Sequence, residues 1–388
     1  MAPRARALVL HASGMPRARR VFADTVRRFV PFRRNLANLA GSNRYINFLF
    51  AEEYEALSYV VDWREAFEAS PRLHAELCNV NDAIAFANVQ RRIGDFDVIA
   101  ILHSAAGDSM SRLRSAHSLQ RRRCPLLVLF GNEYNLMAEK LDFLRETDAE
   151  FVGSQLPPDA AAWLYAGTHA TVLEAPAALN PTLYRPTQSA RPIDVGFRGD
   201  RFRSELIGDE ERARVIDHFA RLPPETPIAV DIAYRRIPRS EWSTFLSRCK
   251  ATVGAESGTY FLERDDATQS AVTQYLGEHP AATFEEIYDN FWRMKDSPVS
   301  GKAISSRHFE AAGTKTCQLL VEGSYNGILE AGVHYIPVRR DLKDINDATR
   351  RLFDTAERTR IADAAYEHVR SGHTYAHRVE HLLSRTIG

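Results

Sequence analysis

Short apolar runs closed by small or polar residues recur along this chain, with helical spacing between them. That alternation constrains the fold more than any other feature. Ala7 to His11 is apolar and ends at Ala12-Ser13-Gly14. Tyr45 to Phe50 reads as a second strand. Phe96 to Leu102 is a continuous apolar run closed by His103-Ser104-Ala105-Ala106-Gly107, and Leu126 to Phe130 is another, closed by Gly131-Asn132-Glu133-Tyr134. Weaker runs follow at Phe151 to Gly153 and Ala170 to Leu173. Between the first two runs, Arg17 to Phe32 sets Val21, Val26, Phe29 and Val30 on one side and arginines on the other, as in an amphipathic helix. Strands separated by helices do not pair as hairpins. Each crosses over its sheet, which predicts parallel strands with helices on both faces.

From Asn180-Pro181 to Arg191-Pro192 the chain turns rich in proline and polar residues and reads as an interdomain linker. The alternation then restarts. Ile193 to Phe197, Pro227 to Ile232, Ala251 to Val253, Cys317 to Val321 and His334 to Val338 read as strands. Asp209 to Ala220 (with Asp209 as N-cap), Arg239 to Cys249, Asp344 to Phe353, Arg358 to Val369 and His377 to Thr386 read as helices. The expected fold class is α/β, two Rossmann-like doubly wound domains facing across a cleft, over residues 1–185 and 193–375, with 376–388 as a helix packing back on the first. A chain of 388 residues is long enough for two such cores. Residues 264–300 interrupt the second domain with helices of their own, the later one opening on a capping box, Thr283 to Glu286. The insertion reads as a surface excursion with a small core; a lid over the cleft is the alternative.

Charge is balanced, with 50 Lys+Arg against 50 Asp+Glu, so no global field draws nucleic acid. The four cysteines lie far apart, without metal-ligand spacing, and read as buried thiols of a cytoplasmic protein. No apolar run approaches the ~20 residues that span a bilayer, and Ala7 to Leu10 is too short for a signal peptide. The arginine-rich face of Arg17 to Arg34 reads as solvated rather than as a membrane contact, because that face carries no aromatic anchors.

The stretch Ser305 to Val321 holds the densest candidate chemistry. A polar loop, Ser305 to His308, leads into a small-residue turn, Phe309 to Ala312, which Gly313 and Thr314 break before a buried strand. Glu310 is its one acid. Near a helix start it either caps the backbone or accepts hydroxyls of a ligand whose phosphates meet the N–H groups. Gly196 and Gly199 flank Arg198 after the first strand of the second domain, where backbone can approach a ligand. His103 ends a strand in the first domain, which suits either a structural histidine or a base.

The phrase Arg307-His308-Phe309-Glu310-Ala311-Ala312-Gly313-Thr314 resembles the nucleotide-sugar signature of GT-B glycosyltransferases, closest to the CgeB-like bacterial branch. Glu322-Gly323-Ser324-Tyr325-Asn326-Gly327, His334 to Val338 and His373 to Arg378 follow in the order such proteins show. The resemblance implies transfer of a sugar from a nucleoside diphosphate donor to a small-molecule, glycan or other acceptor, with no permanently bound cofactor and no metal. It implies donor contacts at Gly196, Arg198, Gly199, Arg307, Glu310, Gly313 and Thr314, and catalytic roles among His103, Glu133 and Glu256. Two positions depart from the pattern. Lys302 stands where retaining members carry an acid, which makes Glu256 the substitute, and Asn132 stands where relatives tend to have Asp. The same fold also serves epimerases, hydrolases and silent sugar-nucleotide-binding partners. Donor base, sugar, anomeric outcome and oligomeric state stay open at this level.

Overall fold

The computed structural model describes residues 3–12, 58–107, 113, 116–200 and 203–388. Ser13, the helix expected over Arg17 to Phe32, the strand expected over Tyr45 to Phe50, and Arg201, a further cation close after Gly199, fall outside these residues. Among the described residues the strands form two parallel sheets. The first has the order β2-β1-β3-β4-β5-β6 and the second β11-β10-β9-β7-β8.

In the first sheet, β1 (Ala5–His11) is apolar and buried from Ala7 to Leu10, and β3 (Val98–Ile101) and β4 (Leu126–Leu129) are apolar throughout, because helices cover both faces. β5 (Phe151–Ser154) and β6 (Thr171–Glu174) complete one side. The other edge is β2 (Leu73–Asn79), a strand that sequence patterning misses: His74 and Glu76 interrupt its apolar residues. The covering helices are α1 (Ser58–Glu68), α2 (Ala83–Arg91), α3 (Met137–Thr147) and α4 (Pro158–Tyr165).

The second sheet comprises β7 (Ile193–Arg198), β8 (Val230–Ala233), β9 (Cys249–Gly254), β10 (Cys317–Val321) and β11 (Ile336–Val338). Its helices are α5 (Glu211–Ala220), α6 (Arg239–Ser247), the insertion helices α7 (Ala267–Glu278) and α8 (Phe284–Ile287), α9 (Ser306–Gly313), α10 (Ile345–Phe353), α11 (Thr355–Gly372) and α12 (Tyr375–Thr386). Two local expectations are corrected. Ser306 to His308 are helical rather than loop, because His308 Nδ1 accepts the Ser305 N–H at 3.0 Å and closes the first turn. Asp209 lies outside α5, although its Oδ1 accepts the Glu211 N–H at 2.8 Å.

The halves meet on two sides. On one, α12 leaves the second half and buries Tyr375, Val379, Leu382 and Leu383 with Trp63 and Phe67 of α1. On the other, the insertion, which has its own core of Val272, Ile287 and Trp292, reaches the first half, where Asp266 Oδ2 accepts the Met137 N–H at 2.7 Å.

Candidate active site

The carboxyl ends of β7, β9 and β10 and the N-terminus of α9 converge on one cleft wall. Parallel α/β order produces this, since each strand delivers its following loop to the same edge. Arg307, in the first turn of α9, lies against Gly199, where a Cβ would approach its Cζ at 2.8 Å. Its guanidinium stands 5.2 Å from the Phe197 ring centroid. Among the described residues it makes no hydrogen bond or ion pair. Burial, then the neighbouring Arg212, pull its pKa down to about 10, against the pull of Glu310. A cation so placed is short of an anion.

Arg198 differs. Its Nη2 pairs with Asp231 Oδ1 at 2.7 Å, its Nη1 donates to Asp231 O at 2.9 Å, and its Cζ stacks 4.1 Å from the Phe245 ring. Gly196 makes room for α6 rather than for cleft contents, since a Cβ there would meet Phe245 at 2.9 Å. Gly313 and Thr314 face the linker: a Cβ on Gly313 would meet Tyr184 O at 2.8 Å, and Thr314 O accepts from Arg191 at 2.7 Å.

Glu310 sits one turn into α9 and is 4% exposed. Its Oε2 accepts the Trp242 indole N–H at 2.7 Å. Burial raises its pKa to about 7, with Asp62 adding to the rise and Arg307 opposing it. Asp62, which sequence reading did not single out, belongs to the same buried group. It accepts from Ser58 at 2.8 Å and Asn180 at 2.7 Å, and pairs with Arg239 at 3.0 Å. Its own pKa rises to about 6 through burial. The sole signal for it is a lone acid within the apolar helical run Tyr59 to Trp63.

Glu256 is buried, and its Oε1 accepts from Tyr325 N at 2.6 Å and from Ser324 Oγ at 3.1 Å. It thereby fixes the loop after β10. Lys302 is buried in an ion pair with Asp209, with Glu211 at 3.9 Å.

On the facing wall, His103 follows β3 and is 4% exposed. It packs against Trp63 and Tyr59, with ring centroids 5.4 and 5.9 Å away. Its Nδ1 is buried with no hydrogen-bond partner. Burial, helped by the Lys140 charge, lowers its pKa to about 3, so the ring is neutral at pH 7. Glu133 is fully engaged: Oε1 accepts from Ser154 and Tyr165, each at 2.6 Å, and Oε2 accepts from Gln155 N at 2.7 Å.

Two parallel Rossmann-like layers whose strand ends open on a shared cleft define the GT-B architecture of glycosyltransferases. Residues 287–384 match the model of the glycosyl transferase-like family. Solved structures of similar fold share little sequence. An alpha-glucosyltransferase in complex with UDP-glucose and DNA containing an abasic site superposes with a TM-score of 0.54 at 8% identity, over 100% of both chains. Anabaena Alr3699/HepE in complex with UDP-glucose gives 0.52 at 12%, over 98% of this chain and 100% of that one. T4 phage beta-glucosyltransferase gives 0.50 at 13%, over 99% of each. No curated protein matches the chain by sequence. The fold expected from sequence is the fold observed.

Proposed function

We propose that this protein transfers a glycosyl group from a nucleoside diphosphate sugar to an acceptor, with the donor on the second half and the acceptor on the first. One observation carries the reading: among the described residues Arg307 has no hydrogen-bonding or ion-pair partner at the start of α9, beside the β7 turn. Departure of a nucleoside diphosphate concentrates negative charge on its phosphates. Arg307 and the first N–H groups of α9 meet that charge, which makes the transfer metal-independent. Glu310, below them, takes the ribose hydroxyls.

On the acceptor side, His103 is the base. It is neutral at pH 7 and keeps one ring nitrogen without a partner. Glu256 and Glu133 order the loops around the cleft, and Lys302 holds the β7 side to the insertion's return. UDP-glucose in two of the similar structures makes uridine diphosphate sugars the first donors to test. The balanced charge supports an acceptor other than nucleic acid. The buried, unpaired thiols of Cys78, Cys124, Cys249 and Cys317 support a reducing, cytoplasmic setting.

Calorimetry across nucleoside diphosphates, followed by product analysis with the sugar nucleotides that bind, tests the reading. Binding with transfer supports it. Free sugar alone marks a hydrolase, an epimer marks an epimerase, and binding without turnover marks a silent partner.

A further inference from the structure

The insertion leaves the second half after β9 and returns before α9, yet several of its polar groups end on the first half. Asp266 Oδ2 accepts the Met137 N–H at 2.7 Å. Gln269 Nε2 donates to Tyr134 O, and Arg264 donates to Trp163 O while its Cζ stacks 4.3 Å from the Trp163 ring. Apolar groups cross as well: Leu262 and Ala303, from the insertion's two ends, are buried in the first half's core, with Val299 packed against it.

The contacts of Asp266 and Gln269 fall on the loop between β4 and α3 and its junction with α3. The loop is costly to hold. Asn132 and Leu136 both adopt left-handed backbone, with φ of 48° and 54°, which residues other than glycine resist. From below, Lys140 Nζ gathers three of its carbonyls, those of Gly131, Asn132 and Asn135, at 2.5, 3.0 and 2.8 Å. From above, the support comes from the other half. The N-cap position of α3 is Leu136, whose side chain offers no hydrogen bond. Asp266 supplies the missing acceptor in its place. The loop in turn abuts His103, since a Cβ on Gly131 would stand 3.3 Å from His103 Cβ.

We infer that Asp266, seconded by Gln269, is a positioning residue: it caps α3 from the donor half, fixes the 131–136 loop against His103, and so completes the acceptor wall only when the two halves are together. The inference deepens the proposed function, because it rests on the first half being the acceptor side. It also explains why an insertion with its own core is tied to the facing half.

The test uses the full chain in four forms: wild type, Asp266→Ala, Asp266→Asn and Gln269→Ala. Hydrogen exchange is followed at the amides of residues 131–138, the His103 ring is titrated by NMR, and uridine diphosphate is the probe for the donor wall. Asp266→Ala should raise exchange at Met137 and Ala138 at least tenfold and move the His103 titration upward from about 3. Asp266→Asn keeps an oxygen acceptor and should restore both, Gln269→Ala should show a smaller change of the same kind, and uridine diphosphate affinity should stay within twofold throughout. Unchanged exchange at 131–138, or an Asn variant as perturbed as the Ala variant, overturns the inference. Failure of wild type to bind any nucleotide overturns the proposed function instead, and the exchange result then still decides whether Asp266 sets the loop.

Discussion

The two walls of the cleft carry their charges differently. On the second half, Arg307 has no counter-ion among the described residues, and burial leaves it wanting one. On the first half, Glu133 has three donors at 2.6 to 2.7 Å and Lys140 has three carbonyls at 2.5 to 3.0 Å. A wall with an unsatisfied cation is prepared for a ligand whose charge is fixed in advance. A wall of satisfied polar groups is a scaffold, and its selectivity rests with the few groups left over, such as His103. The contrast fits a donor with a constant diphosphate and an acceptor recognised through shape and one basic nitrogen.

The sharpest way to break this contrast is to treat Glu133 as chemistry. Glu133→Ala leaves Ser154, Tyr165 and the Gln155 N–H without their acceptor in a buried site. The expected loss is about 3 kcal/mol of folding stability, read from the denaturant midpoint. A variant of unchanged stability that lost only turnover would return Glu133 to the reacting groups.

Next comes Glu310. Replacement by Gln keeps an oxygen for the Trp242 N–H but removes the charge, so the fold should survive. Nucleoside diphosphate affinity should fall by roughly 1.5–3 kcal/mol, typical of hydrogen bonds to a charged group. Equal affinity by calorimetry would remove Glu310 from the donor site and leave it as a member of the buried group around Asp62.

Arg307 tests the other side of the comparison. Arg307→Ala should lower the maximal rate by at least about tenfold, or ~1.4 kcal/mol in the barrier. Arg307→Lys keeps the charge without the bidentate fork and should fall between it and wild type. Chelators should leave the rate unchanged. Full activity in the Ala variant would move the phosphate grip elsewhere on the wall, and loss on chelation would assign the charge to a metal.

How much of this could be read from sequence follows the same division. The buried strands β3, β4 and β10 were legible because parallel sheets covered on both faces need continuous apolar runs. β2 was not, because an edge strand tolerates His74 and Glu76. The α9 phrase singled out Arg307 and Glu310 because both stand within the first turns of one helix. Arg198, Gly196, Gly313 and Thr314 carried the same local signal, yet their partners, Asp231, Phe245 and Tyr184, lie elsewhere in the chain and give them packing and pairing roles. Asp62 had only a weak local signal, a lone acid in an apolar run, and Asp266 had none. Each acquires its role only when the two halves come together, Asp62 beside Arg239 and Asp266 on the N-terminus of α3.

A last effect, modest at any single pH, separates the buried rings from the buried carboxyls. His103 and His308 titrate at about 3, and His11 at about 4, all held neutral by burial. The unfolded chain protonates these rings near 6.5, while the folded chain does not, so the unfolded state binds more protons below that value. Stability therefore falls as pH drops from about 6.5 towards 4, each ring contributing up to ~1.4 kcal/mol per pH unit. Asp62 and Glu310 act the opposite way. Their raised values, about 6 and about 7, mean the fold takes up protons first, and the stability they give below the ordinary carboxylate range is lost as pH rises through 6 to 7. The buried rings of both halves thus lose stability towards acid, and the buried carboxyls Asp62 and Glu310 lose it towards neutrality. Denaturant midpoints measured from pH 4 to pH 8 separate the two. On the acid limb, from about pH 4 to 6.5, His103→Gln should make the rise of stability with pH shallower by up to ~1.4 kcal/mol per pH unit, whereas Glu310→Gln should make the curve steeper between about pH 4.5 and 7, because it removes a group that acts in the opposite direction. If His103→Gln left the acid limb as steep as in wild type, His103 would not be the neutral ring that the base role requires.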